Sequence, residues 1–237
     1  YLNYQEYTWS RPDFMHSSTR MLGVHAQGDK ALNRHWRINP DVKVAYGDET
    51  YYGGFTNTKT GVHTPLTQHH IPNLYANIKA SLAYHAWSHF TPHIGIGYRF
   101  FQTDDSNFSP GGGYLRRSHY FYLPVGFSYK ISAIPHWKLS LNMDQNIFLE
   151  GKQYSDDRSY SARSYVENAQ YYGYGSSISM TIKKDSWPIS LQPYFNIWRI
   201  EDSEVYAYID GQEELRGITE PNNTSKEYGL RIAWTVI

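Results

Sequence analysis

The sequence predicts an all-β fold, an up-and-down antiparallel transmembrane β-barrel of about ten strands with short periplasmic turns and long extracellular loops. Three observations lead to this prediction. Apolar and polar residues alternate along many segments, and the gaps between these segments alternate between short and long. No run of about eighteen apolar residues offers a transmembrane helix. In a membrane barrel lipid-facing and lumen-facing residues alternate, so their hydropathies cancel in any window average.

Ten segments carry the alternation or the β-propensity of a strand. Many of them reach the length of about 9–11 residues that a tilted strand needs to cross a bilayer. An even number of strands, with a first strand that runs outward, places both chain termini on the periplasmic side. We find no internal repeat and no domain boundary, so residues 1–237 are predicted to form one barrel domain. The segments are residues 1–10, 17–28, 35–47, 73–86, 92–102, 117–131, 136–150, 170–183, 188–200 and 226–237.

The clearest two-sided segments are residues 117–131, 136–150 and 226–237. In each, one face is aliphatic and aromatic while the other is polar or charged. A polar face that carries acids and arginines is a poor face for a dry core, whereas the apolar face suits lipid. The apolar rows are Phe121, Leu123, Val125, Phe127, Tyr129 and Ile131; Trp137, Leu139, Leu141, Met143, Ile147 and Leu149; and Tyr228, Leu230, Ile232, Trp234 and Val236.

The composition restricts the possible partners. The 22 basic and 22 acidic residues cancel, which argues against a nucleic-acid partner. There are no cysteines, so disulfides and thiolate metal sites are excluded. Aromatic residues make up 17% of the chain, and Tyr and Trp favour the boundary between lipid and water. We predict that the lipid-interface aromatics are Trp87, Trp137, Trp187, Tyr228 and Trp234.

The faces predicted to point inward carry many charged groups. Such groups avoid lipid, where an Arg or Lys near the midplane costs about 2–4 kcal/mol. They are expected to pair with each other, and Arg231 in particular to find an acidic partner among Asp41, Asp144 and Glu150. The predicted lumen charge network is Arg37, Asp41, Lys43, Lys79, Arg99, Lys130, Lys138, Asp144, Glu150, Glu227 and Arg231.

The size of the barrel limits what this network can do. An eight-stranded barrel is filled by side chains, whereas one of about sixteen strands encloses an aqueous channel. About ten strands therefore predict a polar, mostly plugged lumen. The network then either holds the barrel shape or lines a narrow conducting path for a small solute or an ion.

Candidate catalytic and metal-binding patterns are weak. The pair His69 and His70 and the pair Ser118 and His119 are sequence neighbours, and neighbours on an extended chain point in opposite directions. We therefore predict no catalytic residue, no metal site and no cofactor. Rim carboxylates remain open as the basis of a hydrolase. The candidates are Asp104, Asp105, Asp156, Asp157 and Asp202.

The chain resembles bacterial outer-membrane β-barrel proteins, in particular small porin-like ones that mostly lack an assigned function. The resemblance rests on the strand from Pro92 to Arg99, on the strand exit from Trp198 to Ser203, and on the loop from Glu220 to Thr224 that leads into Glu227–Leu230. It implies an outer-membrane location in a Gram-negative bacterium, as a monomer. It also implies contacts with membrane lipid and lipopolysaccharide, and with the barrel-assembly machinery during insertion.

Three functions remain open at this point. The first is a porin-like narrow channel or a surface-binding protein that acts through its extracellular loops. The second is an outer-membrane hydrolase of lipid or peptide with an active site at the rim. The third is a soluble, lipocalin-like barrel, in which the apolar rows of residues 121–131 and 137–149 would line a cavity instead of facing lipid.

Overall fold

The computed structural model describes residues 2–8, 15–56, 60, 62–106, 113, 115–131, 134–156, 165–209 and 215–234. No helix in this part of the chain is long and apolar enough to cross a bilayer. The strands are β1 Leu2–Thr8, β2 Met15–Gln27, β3 Lys30–Ala31, β4 Trp36–Thr56, β5 His63–Tyr84, β6 Phe90–Asp104, β7 Leu115–Ile131, β8 Trp137–Asp156, β9 Tyr165–Gln170, β10 Gly173–Lys184, β11 Ile189–Ile200, β12 Tyr206–Ile209, β13 Leu215–Ile218 and β14 Asn223–Trp234.

The sheet closes into an antiparallel barrel of ten strands, as the sequence predicts. The order around the wall is β1, β2, β4, β5, β6, β7, β8, β10, β11 and β14. Pairing of β1 with β14, with Leu2 opposite Gly229, joins the first strand to the last. Strands β9 and β10 continue one another along β8, interrupted at residues 171 and 172. The short β3 pairs with β4, and β12 pairs with β13 as a separate hairpin.

The exposure of the wall is inverted relative to a water-soluble protein. Large apolar side chains cover the outside; Leu22 and Val24, for example, are 78% and 75% exposed. Charged and polar side chains are buried inside, where Thr19 is 0% and Glu227 1% exposed. The rows of β7 and β8 point outward, since Phe121, Val125, Met143 and Ile147 are all exposed. This geometry contradicts the soluble lipocalin-like alternative, which needs these rows around a cavity.

The apolar band ends at polar side chains on the outward face. On β4 it runs through Val42, Val44 and Tyr46 and ends at exposed Asp48. On the neighbouring strand β2, Arg20 lies opposite Asp48, and it marks the same level of the wall. These positions define the boundary between the lipid-facing wall and the part of the barrel beyond it.

Several strands continue well beyond this boundary, which the sequence does not predict. Residues 48–72 are predicted to be a long loop, yet β4 runs to Thr56 and β5 begins at His63. A register shift between Glu49 and Tyr51 is the only irregularity in the pairing of these two strands. Beyond the lipid the outward face of a strand meets water instead of hydrocarbon, so the two-residue alternation of hydropathy disappears although the backbone pairing continues.

Candidate functional site

A layer of side chains fills the middle of the lumen. Arg99, Lys43 and Glu227 reach its centre from β6, β4 and β14, and each is no more than 6% exposed. Lys43 forms an ion pair with Glu227 across 184 positions of sequence, which ties opposite parts of the chain together. Arg99 donates from Nη2 to Ser225 Oγ at 3.2 Å. We call this region the central plug; its aromatic members are Tyr75, Tyr120, Tyr122, Tyr194 and Trp198.

The aromatic rings of the central plug surround its cations. The Arg99 guanidinium lies 5.3 Å from the Trp198 ring and 5.7 Å from the rings of Tyr75 and Tyr120. Lys43 Nζ lies 4.5 Å from the Tyr75 ring. Desolvated contacts of this kind contribute about 2 kcal/mol each. The plug therefore combines the ion pair of Lys43 and Glu227 with tight packing of aromatic rings around its cations.

Two glycines provide the room that the large rings occupy. The Tyr122 ring lies where a side chain at Gly97 would project, and the Trp198 ring does the same at Gly175. Tyr122 and Trp198 then meet edge to face, with ring centroids 5.0 Å apart. Alternation of small and large inward residues lets a ten-stranded wall hold these rings within its lumen.

Below the plug, toward the short turns, the lumen opens into a polar cavity of about 160 Å³. Two carboxylates on its wall each bond a histidine. His93 Nε2 lies 2.5 Å from Asp144 Oδ1, and His25 Nε2 lies 2.9 Å from Asp41 Oδ2. Lys79 Nζ donates to Asp144 Oδ2 at 2.9 Å. Each acid thus has a cationic or potentially cationic partner, which is what buried charges require. We call this space the periplasmic cavity.

Above the plug, on the side of the long loops, lies a second charged cluster. Glu49 is 5% exposed and accepts a hydrogen bond from Asn73 Nδ2, while Asn73 also donates to Thr19 Oγ1 at 3.3 Å. Arg116 pairs with Glu220. Burial raises the pKa of the Tyr51 phenol, and Arg116 opposes this rise. Asp105 and Glu49 also act on Tyr51, so these groups share one space. We call it the outer mouth.

Seven of the charges predicted for the lumen lie in the plug or in the periplasmic cavity: Asp41, Lys43, Lys79, Arg99, Asp144, Glu227 and Arg231. Of the acidic partners expected for Arg231, Asp41 interacts with it electrostatically, but none forms a hydrogen bond with it. Its Nη1 donates to Gln192 Oε1 at 2.9 Å and its guanidinium lies 4.0 Å from the Tyr194 ring. Among the described residues no carboxylate lies within ion-pair distance of it. The neighbouring strand supplies an amide at that level instead of an acid.

The remaining four predicted charges lie elsewhere. A register shift in the pairing of β7 with β8 sets Glu150 opposite Phe121 and turns it to the outer wall, so its predicted lumen position is wrong. Arg37 pairs with Asp29, and exposed Lys138 pairs with Asp185 at 3.0 Å. Lys130 is also exposed. These three lie at strand ends next to the short turns, where the lumen widens into solvent, so they do not join the inner network.

The predicted interface aromatics lie at the ends of the wall. Trp87, Trp187 and Trp234 are exposed beside the short turns, and Trp137 meets Trp187 with ring centroids 5.8 Å apart. Tyr228 is exposed nearer the other end of β14. Contact of these rings with the lipid headgroups stays a prediction.

Several informative inner residues are absent from the predicted lumen charge network. His25 and His93 are the partners of the two cavity acids, and Glu49, Arg116 and Glu220 form the outer mouth. The signal available for the two histidines was the alternation of their strands, which places both side chains on the inward face. Of the predicted rim carboxylates, Asp202 accepts a bond from the backbone of Asn222 and Asp104 accepts one from Ser106, while Asp157 lies outside the described residues. The described residues contain no group of three or more His, Asp or Glu placed to hold a metal ion.

A closed ten-stranded barrel with an apolar exterior and a charged, filled lumen defines the class of transmembrane β-barrels found in bacterial outer membranes. The chain is similar in structure to the outer membrane protease OmpT from Escherichia coli, with a TM-score of 0.58 and 8% identity over 99% of this chain and 93% of that one. The outer membrane protein OmpT of Vibrio cholerae aligns with a TM-score of 0.27 and 12% identity over 97% of this chain and 64% of that one. No protein-family model and no curated protein matches the sequence.

Proposed function

We propose that this barrel does not conduct and acts at its outer mouth as a hydrolase of peptide or lipid substrates at the cell surface. The observation that carries the proposal is the position of the outer mouth. Its carboxylates and Arg116 lie on the long-loop side of a central plug of buried side chains. We therefore assign the function to chemistry at the open end of the barrel and not to transport through it.

The outer mouth has the groups that water-dependent hydrolysis needs. Glu49, oriented by Asn73, is the general base that takes a proton from the attacking water. As the new carbon–oxygen bond forms and the bond to the leaving group breaks, that proton passes to the leaving nitrogen or oxygen. Arg116, which pairs with Glu220, is the cation that the developing oxyanion would meet in the outer mouth. The Escherichia coli neighbour is named a protease, so a barrel of this size is compatible with peptide hydrolysis.

Glu49→Gln should lower hydrolysis about 100-fold or more, since general acid–base catalysis contributes about 10²–10⁴-fold. The measurement is turnover of quenched fluorescent peptides and of ester-linked lipid probes by the folded barrel in vesicles that contain lipopolysaccharide. Glu150→Gln is the matched control, because Glu150 lies on the outer wall and should keep full activity. Equal rates for wild type and Glu49→Gln, or no turnover of any probe by wild type, would refute the assignment.

A surface-binding role without catalysis is the second candidate, and exposed rings favour it. His16 and Tyr52 stack with centroids 4.7 Å apart beyond the apolar band, and Tyr172 is 73% exposed. Exposed aromatic faces of this kind suit a carbohydrate or protein partner. We also propose that the barrel contacts lipopolysaccharide in the membrane and that the barrel-assembly machinery recognises it during insertion.

A further inference from the structure

We infer that His69 and His70 form a surface site for a divalent transition-metal ion, Cu²⁺ above all, on the outer wall beyond the lipid. Both imidazoles are exposed, and their ring centroids lie 6.5 Å apart. The pair lies beside Thr50, past the end of the apolar band at Asp48. In a regular strand two neighbours point to opposite faces, and the prediction of no metal site rests on that regularity. A β-bulge removes it here.

The bulge is visible in the pairing of β5 with β4. The paired residues of β5 are Gln68 and Ile71, and their partners on β4 are Tyr51 and Glu49. A single residue of β4, Thr50, therefore lies opposite both histidines. Gln68 and Ile71 are 8% and 3% exposed and point inward. Because two residues instead of one separate these inward positions, both histidines turn to the outer face.

The backbone of the bulge is strained at one of the two ligands. His70 has a φ of 60°, in the left-handed region that glycine adopts more easily than any other residue. This conformation turns the His70 side chain out of the regular alternation and brings it beside His69. Residues held in such conformations concentrate at ligand-binding positions. The strain at His70 thus points to a role of its side chain outside the packing of the sheet.

The two rings can reach one ion. Thr50 Oγ1 lies 3.3 Å from His69 Nδ1, which orients that ring and leaves Nε2 as its ligand atom. With metal–nitrogen bonds of about 2.0–2.1 Å, two imidazoles on one ion have ring centroids up to roughly 6.4 Å apart. The observed separation of 6.5 Å therefore requires only a small rotation of two exposed side chains.

The ligand atoms select the kind of ion. Imidazole nitrogens suit Cu²⁺, Ni²⁺ and Zn²⁺, and Cu²⁺ binds most tightly in this series. No third His, Asp or Glu joins the pair in the described part of the chain, so water would fill the remaining positions. Asp48 lies opposite Arg20 on the same face, so their charges offset each other. Glu49 lies on the inner face of the wall, and the inference is therefore independent of the hydrolase proposal.

The test is isothermal titration calorimetry of the folded barrel in detergent with Cu²⁺ and with Zn²⁺. The titrations are made at about pH 7.5, because imidazole binds a metal ion in its unprotonated form. Wild type should bind Cu²⁺ about tenfold or more tightly than Zn²⁺, and His69→Gln and His70→Gly should each weaken Cu²⁺ binding by about tenfold or more. Glycine relieves the strain at position 70, so His70→Gly should fold at least as well as wild type. The heat-dependent electrophoretic mobility of each variant reports whether it has folded.

His136→Gly is the matched control. His136 is also exposed and has a φ of 65°, but it lies in the short turn before β8 and has no histidine as a sequence neighbour. This variant should keep the wild-type affinity for Cu²⁺. Electron paramagnetic resonance at less than one equivalent of Cu²⁺ should show two imidazole nitrogens on the ion in wild type and fewer in His70→Gly.

Three results would overturn the inference. Equal Cu²⁺ affinity in wild type, His70→Gly and His136→Gly would indicate an adventitious ion only. No binding of Cu²⁺ to wild type would exclude the site. Loss of Cu²⁺ binding in His136→Gly as large as in His70→Gly would place the ion elsewhere on the barrel. Binding of Zn²⁺ as tight as that of Cu²⁺ would contradict the assignment of copper as the preferred ion.

Discussion

Glu227→Ala should destabilise the barrel by about 3–5 kcal/mol, because it leaves the Lys43 ammonium buried without its partner. Glu227 is 1% exposed and Lys43 6%, so solvent does not replace the lost charge. The measurement is equilibrium denaturant unfolding of the barrel from lipid vesicles, followed by tryptophan fluorescence. Most of the expected loss of stability comes from leaving the Lys43 ammonium buried and unpaired, and less from the lost attraction of the ion pair.

Two controls separate the stranded charge from other causes. Replacing Lys43 and Glu227 together by methionine should leave stability near the wild-type value or above it, since an apolar pair removes both desolvation costs. Glu167→Ala breaks the exposed pair with Lys152 and should change stability little. A double variant as unstable as Glu227→Ala would show that packing, not charge, dominates the plug.

Val44→Arg should cost about 2–4 kcal/mol, since Val44 faces outward within the apolar band and an arginine there meets hydrocarbon. Asp48→Arg is the matched control on the same strand and the same face. Asp48 lies at the end of the band, where arginine costs about 0–1 kcal/mol. The same unfolding experiment in vesicles measures both variants. Equal destabilisation by the two substitutions would mean that the outer wall does not lie in lipid as described.

Much of the fold could be predicted because lipid imposes a two-residue period on the wall. The rows through Phe121 and Val125 and through Met143 and Ile147 face outward as their alternation indicates. The period fails where lipid no longer acts, as in the extensions of β4 and β5 beyond Asp48. It also fails at Glu150, because a single extra residue in one strand reverses every later side chain and leaves no mark in the composition.

The site was less predictable than the wall because its contacts cross the barrel. The alternation along their strands places Lys43 and Glu227 inside the barrel. Their pairing, however, depends on the order and stagger of the strands, and the alternation carries no information about either. The same holds for His93 with Asp144 and for Arg231 with Gln192. Tyr75, Tyr122 and Trp198 are aromatic like the residues of the wall, so composition alone assigns them to a lipid interface. Strand alternation places Tyr122 on the inward face, and Gly97 leaves room there for its ring.

The most direct test of the account is a conductance measurement across a planar lipid bilayer. The central plug, with Arg99 1% and Tyr122 and Trp198 each 3% exposed, predicts that the inserted wild-type barrel gives no current steps. A porin inserted in the same membrane is the positive control, and quantitative insertion is checked on vesicles prepared in parallel. Stable ion-conducting steps from the wild-type barrel would contradict the closed lumen, and with it the assignment of function to the outer mouth.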